Sequence, residues 1–79
     1  MVIKILGTGC PSCKKLEANT REALKQLNRN DGVVKITDMS EIMGYGVMSL
    51  PALVFDEKVM TYGVIASVEA IKNMLNKNA

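Results

Sequence analysis

A chain of 79 residues fits one domain, near the small end of what a single core can hold together. Hydrophobic residues at 48% against 23% charged make it globular, with no segment polar enough to stay disordered. A net charge of +2, scattered lysines and few rings (two tyrosines, one phenylalanine, no tryptophan) exclude a nucleic-acid footprint, and no apolar run approaches the roughly 20 residues that span a bilayer.

The first six residues, "MVIKIL", run into Gly-Thr-Gly, too short for the apolar region of a signal peptide. The expected location is the cytoplasm, where a disulfide is transient and catalytic rather than structural. "VIKIL" (Val2–Leu6) is β-branched and ended by glycine, so it reads as an interior strand covered on both faces. From Pro11 to about Asn28 the pattern is helical. Leu16, Ala23, Leu24 and Leu27 share a face, with Glu17 and Arg21 as an i,i+4 pair on the outer one. "RNDG" closes the helix and "VVKIT" (Val33–Thr37) is a second strand.

Asp38 reads as an N-cap, with Glu41 completing a capping box over a short helix that Gly44 and Gly46 cut off. "ALVF" (Ala52–Phe55) and "VMTY" (Val59–Tyr62), joined by "DEK", form an antiparallel hairpin. Ser67 caps a last helix with Val68, Ile71, Met74 and Leu75 on its apolar face. The order is β-α-β-α-β-β-α within one domain, residues 1–79. A right-handed crossover makes the first two strands parallel, the hairpin adds two antiparallel strands, and helices cover both faces of a four-stranded mixed sheet in a three-layer α/β sandwich. The six methionines read as fillers of a ring-poor core. A soft docking surface is the other reading for Met39, Met43 and Met48.

Both cysteines lie in "TGCPSCKK" (Thr8–Lys15). Cys10 falls at the strand-to-helix corner, Pro11 at the first helical position and Cys13 in the first turn. The N–H groups of Ser12 and Cys13 and the positive end of the helix dipole favour a thiolate on Cys10, and Lys14 and Lys15 add a screened push. Cys10 is therefore the expected nucleophile, and Cys13 the thiol that reaches back to resolve a mixed disulfide.

A strand, Cys-Pro-x-Cys at the start of the next helix, and a later "SLP" (Ser49–Pro51) before a hairpin resemble the thioredoxin/glutaredoxin family. Within it, the chain is most similar to the small, glutaredoxin-sized redox-active disulfide proteins of archaea and bacteria. The resemblance implies a thioredoxin-like α/β/α sandwich and a protein-disulfide reductase whose only redox group is the Cys10–Cys13 pair, with no metal and no other cofactor. It implies that Pro51 follows a cis bond and lies against the cysteines, and that Ser49, Leu50 and Pro51 bind substrate, the Leu50 backbone pairing with an incoming strand. Protein disulfides are the implied partners. In the absence of a nucleotide-binding motif, electrons come from outside, from a thioredoxin-reductase-like flavoprotein or a small thiol. A monomer is expected.

The departures are informative. Thioredoxins carry a buried acid upstream of the first cysteine; the residue there is Lys4, which cannot act as a base while charged. The Gly-Gly and acid that hold glutathione in glutaredoxins are missing from "YGVIAS" (Tyr62–Ser67), so glutathione is not the expected partner. A rival reading from another class is a cytosolic chaperone for a soft metal such as Cu(I), bound through the same two thiolates. That family usually has Met where this chain has Thr8, and its order ends on a strand. Tyr45, between two glycines, is read either as a lid or as a half-buried ring, and Gly63 as a tight-turn residue.

Overall fold

The computed structural model describes residues 1–77. In chain order the elements are β1 (Val2–Leu6), α1 (Pro11–Gln26), β2 (Gly32–Ile36), α2 (Met39–Gly44), β3 (Ala52–Phe55), β4 (Lys58–Tyr62) and α3 (Val68–Lys77). One sheet joins the strands in the order β2-β1-β3-β4. β1 runs parallel to β2, with Val2 opposite Gly32, and antiparallel to β3, with Leu6 opposite Ala52. The expected order, mixed sheet and interior first strand are all present.

Alternation along the two central strands divides the core. Ile3, Ile5, Leu53 and Phe55 pack with Leu16, Ala23 and Leu24 of α1 and Ile71 and Leu75 of α3. On the other face, Leu6, Ala52 and Val54 meet Ile42 of α2, with Ile36, Tyr45, Val47, Leu50 and Val59 around them. This second layer is thin because α2 is only one and a half turns or so long.

Three elements differ in their bounds from the expectation: β2 runs Gly32–Ile36 rather than Val33–Thr37, and α1 and β4 differ through local backbone chemistry. Helix α1 stops at Gln26 because Asn28 takes a left-handed φ of 56°. The Arg29 N–H then bonds to the Leu24 carbonyl at 2.9 Å and the Asn28 N–H to that of Lys25 at 3.1 Å, a Schellman closure. The hairpin loop is Asp56-Glu57 rather than three residues. Both take positive φ, 47° and 71°, the two-residue turn whose twist matches the strands. A register shift after Leu53 leaves Met60 as a bulge.

Ser67 caps α3 as expected, its Oγ accepting from the Ala70 N–H at 3.1 Å, while Asp38 caps α2 through the Ser40 N–H at 2.9 Å rather than through the Glu41 N–H that the expected capping box uses. Met1, Met60 and Met74 do pack against the core. Met39, Met43 and Met48 do not: they are 49%, 70% and 88% exposed, so the core-filler reading fails for these three. Met39 and Met43 lie on α2, whose one buried residue is Ile42, and Met48 lies in the loop after it. No helix among the described residues is long and apolar enough to cross a membrane.

Candidate active site

β1 ends at Leu6, and the chain reaches α1 through buried Gly7 and exposed Thr8 and Gly9, the last with φ of 87°. Cys10 is the N-cap, in extended conformation, and its carbonyl accepts the first helical bond from the Lys14 N–H at 3.1 Å. Below it the helix is clamped by buried Leu16, Thr20, Ala23 and Leu24. Thr20 tolerates full burial because its Oγ1 donates to the Leu16 carbonyl at 2.8 Å. The cysteines are thus held by a helix end whose packed face fixes its position.

The two sulfurs lie 2.7 Å apart and both thiols are free, Cys10 half-buried and Cys13 buried. The Cys10 thiol is pushed below the ordinary thiol range, first by the hydrogen bond from the Cys13 thiol and then by the amides of Cys13 and Ser12. Sequence reasoning identified the amides but not the larger contribution of the partner thiol. Cys13 moves the other way, raised by desolvation and then by its bond to Cys10. The pair is therefore one reactive thiolate beside one retained proton.

Gly7 makes this geometry possible. A Cβ there would stand 2.2 Å from Cys13 Sγ and 3.0 Å from Cys13 Cβ, so the resolving sulfur occupies the space a side chain would take. Nothing in the local sequence pointed to Gly7 because the contact spans the strand-to-helix turn.

The Leu50–Pro51 bond is cis. Since Leu6 pairs with Ala52, Pro51 sits at the sheet end from which the chain turns towards Cys10. Pro51 is buried, Leu50 packs on the α2-side core and Ser49 is exposed. Gly63, read as a turn residue, does more. It has φ of 73°, its N–H bonds to the Pro51 carbonyl at 2.9 Å, and a Cβ on it would meet Ser49 Cβ at 2.9 Å. Only glycine lets β4's end press this closely on the Ser49–Pro51 loop.

Lys4 is committed elsewhere. It points to the α2 face, where its Nζ donates to Tyr45 Oη at 2.8 Å and pairs with Glu57. Tyr45 Oη also donates to Glu57 Oε2 at 3.1 Å, and Lys4 Nζ stands 5.5 Å from the centre of the Tyr45 ring. The Glu57 bond and then the Tyr45 bond raise the Lys4 pKa beyond the ordinary lysine range, so it stays charged. Tyr45 is the half-buried ring of the two readings offered for it.

A cavity of about 80 Å³ lies beside Cys13, lined by Ile5, Gly7, Gly9, Lys14, Glu17, Lys35 and Thr37. The Glu17–Arg21 pair forms as expected, with Arg21 Nη2 2.9 Å from Glu17 Oε2. It is not on an outer face, however. The Glu17 side chain is 17% exposed and on the cavity wall, because position 17 follows Cys13 by one helical turn. Lys35 Nζ approaches Glu17 Oε1 to 3.6 Å. Sequence reasoning missed Lys35; its signal, a charged residue in an otherwise apolar strand, was present.

A family model described as a thioredoxin domain matches residues 1–76. The chain is 42% identical over 76 residues to a thioredoxin of Methanothermobacter thermautotrophicus, covering 96% of this chain and 99% of the relative. It is 40% identical over 75 residues to a thioredoxin of Methanocaldococcus jannaschii, covering 95% and 86% respectively. A solved structure of a malarial protein superposes with a TM-score of 0.70 at 14% identity, covering 96% of this chain and 93% of that one, a likeness of fold alone.

Proposed function

The chain belongs to the thioredoxin-domain family, whose general activity is thiol–disulfide oxidoreduction, and from that premise we propose that it reduces protein disulfides through a mixed disulfide on Cys10. The Cys10 thiolate attacks one sulfur of the substrate disulfide, and one substrate thiolate leaves. Cys13 then loses its proton and attacks the Cys10 sulfur. A Cys10–Cys13 disulfide forms, the second substrate thiolate departs, and two electrons have passed to the substrate.

The observation that carries the reading is the opposed displacement of the two thiols across 2.7 Å, Cys10 towards thiolate and Cys13 towards thiol. A nucleophile must be ionised while waiting, and a resolving thiol must not compete with it. Ser49, Leu50 and Pro51 form the substrate ledge in this reading: the Leu50 backbone adds an extended substrate segment as a short strand. A thioredoxin-reductase-like flavoprotein or a small thiol returns the electrons, in the cytoplasm. The thioredoxin-domain match over residues 1–76 favours this reading over a soft-metal chaperone.

Alkylation rate against pH tests the assignment. Cys10 should titrate below the free-thiol value of roughly 8.5 and react first, with Cys13 following only at higher pH. Cys13→Ser should trap a mixed disulfide with a model substrate, and Cys10→Ser should form none. Faster labelling of Cys13, or trapping by Cys10→Ser, would reverse the roles.

A further inference from the structure

The resolving step has a difficulty built into it. Cys13 must give up a proton before it can attack, yet it is buried and its thiol is raised by that burial. Lys4, charged and bound to Tyr45 and Glu57, offers no base. The cavity beside Cys13 is where a base would have to stand, and one carboxylate lines it.

We propose that Glu17 is the proton-handling residue of the resolving step, taking the Cys13 proton across the cavity through water. The proposal deepens the oxidoreductase reading and rests on its assignment of Cys13 as the resolving thiol. A volume of about 80 Å³ exceeds the space a single water requires, roughly 10–15 Å³ on the same kind of measure. The two oxygens of Glu17 are not equivalent. Arg21 holds Oε2 with Nε and Nη2, each at 2.9 Å. Oε1 meets Lys35 only at 3.6 Å, longer than a hydrogen bond, so Oε1 is the oxygen available to a proton.

The charged groups around the site act in one direction. Lys14 and Arg21 belong to α1 and Lys35 to β2, while Ile5 and Gly7 of the β1 side bring no charge. Arg21 and Lys35 orient Glu17 in the resting dithiol, and Lys14 adds its charge to the cavity wall. When the proton crosses, they face a newly formed Cys13 thiolate and a neutral Glu17, so the net charge inside the cavity wall is conserved. The Cys13 thiolate then attacks the Cys10 sulfur, the substrate sulfur leaves as thiolate with the bonding pair, and the Glu17 proton returns through the cavity to solvent or to that thiolate. Glu17 is one helical turn from Cys13, so the same packing that fixes the sulfur fixes the carboxylate.

The test uses 5,5′-dithiobis(2-nitrobenzoate) in stopped flow, because it separates the two steps on one trace. Attack by Cys10 releases one coloured thiolate, and resolution by Cys13 releases a second. In Glu17→Gln the first phase should be unchanged, which also shows that the variant is folded. The second phase should slow about a hundredfold near neutral pH, the lower range for loss of a general base. That deficit should close as pH rises and Cys13 ionises without help. Glu17→Asp, which keeps a carboxylate, should be clearly faster than Glu17→Gln at neutral pH. A second phase unchanged in Glu17→Gln, one slowed by a constant factor at every pH, or equal rates in the two variants overturns the proposal. A first phase that survives Cys10→Ser would instead overturn the underlying assignment of Cys10 as nucleophile and Cys13 as resolving thiol, and it is read from the other phase.

Discussion

The two faces of the sheet are built from the same strands but held by different means. On one, α1 and α3 close over Ile3, Ile5, Leu53 and Phe55 with aliphatic side chains, and the buried polar Thr20 satisfies its hydroxyl within its own helix. On the other, α2 contributes only Ile42 to the buried set, and the layer is finished by the polar knot of Lys4, Tyr45 and Glu57. The difference follows from the chemistry at the helix start. The helix that presents the cysteines has to hold two sulfurs within a fraction of an ångström, and dense packing supplies that fixity. The α2 face has no such demand, and solvated charges with three outward methionines serve there.

The largest expected consequence is an asymmetry in core truncation. Leu16→Ala, under α1, should cost about 3–5 kcal/mol, whereas Ile42→Ala, beside solvent-facing neighbours that can settle into the gap, should cost about 2–3 kcal/mol. Urea unfolding of the two variants measures this, and equal costs would erase the distinction between the faces.

Gly7→Ala sharpens the point at the cysteines themselves. The new methyl needs the place of Cys13 Sγ, so the sulfur must turn away or the strand must shift, at a cost of about 1–3 kcal/mol. The functional loss should exceed the loss in stability: the fraction of protein closing the Cys10–Cys13 disulfide under mild oxidant should drop sharply while the fold persists. Normal closure in a stable variant would show that the turn is softer than its packing implies.

Those two effects sit at different depths of legibility. Leu16, Ala23 and Leu24 announced the packed helix face through their spacing, and Pro11 marked where it begins. Cys10 and Cys13 followed from that placement. Gly7 and Lys35 did not, because their partners lie across a turn or on another element, and no periodicity records such a meeting. Glu17 was read from its bond to Arg21 alone, which is a true contact but concerns only one of its two oxygens. The Asp56-Glu57 turn was missed for another reason. Neither residue is glycine, and the positive φ of Glu57 coexists with its ion pair to Lys4, a strand away.

The smallest effect separates the faces by pH. Asp31 is held below the usual carboxylate range first by its bonds to Arg29, and Glu57 first by its bond to Lys4. A carboxylate depressed in the folded state stabilises above its unfolded value, about 4, and that stabilisation is lost as pH falls through the folded one. The Asp31 side chain is 9% exposed and takes two guanidinium contacts, at 2.8 and 2.9 Å; Glu57 is 67% exposed and screened by solvent. Between about pH 4 and the acid transition, Asp31→Asn should therefore flatten the stability curve more than Glu57→Gln does. The reverse order, seen by thermal unfolding across that range, would place the stronger electrostatic anchor on the α2 face.

The strand order β2-β1-β3-β4 also sets a timetable for the growing polypeptide. Val2–Leu6 is made before either of its neighbours in the sheet. Its parallel partner Gly32–Ile36 arrives only after the whole of α1, and its antiparallel partner Ala52–Phe55 only after α2 as well. Pairings this far apart must close long loops before any contact rewards them. Among the described strands, only the Ala52–Phe55 and Lys58–Tyr62 hairpin can form from residues adjacent in time. A ribosome releasing this chain therefore carries a helix and a strand whose partners come late, and the sheet assembles around the earliest-made of its own four strands.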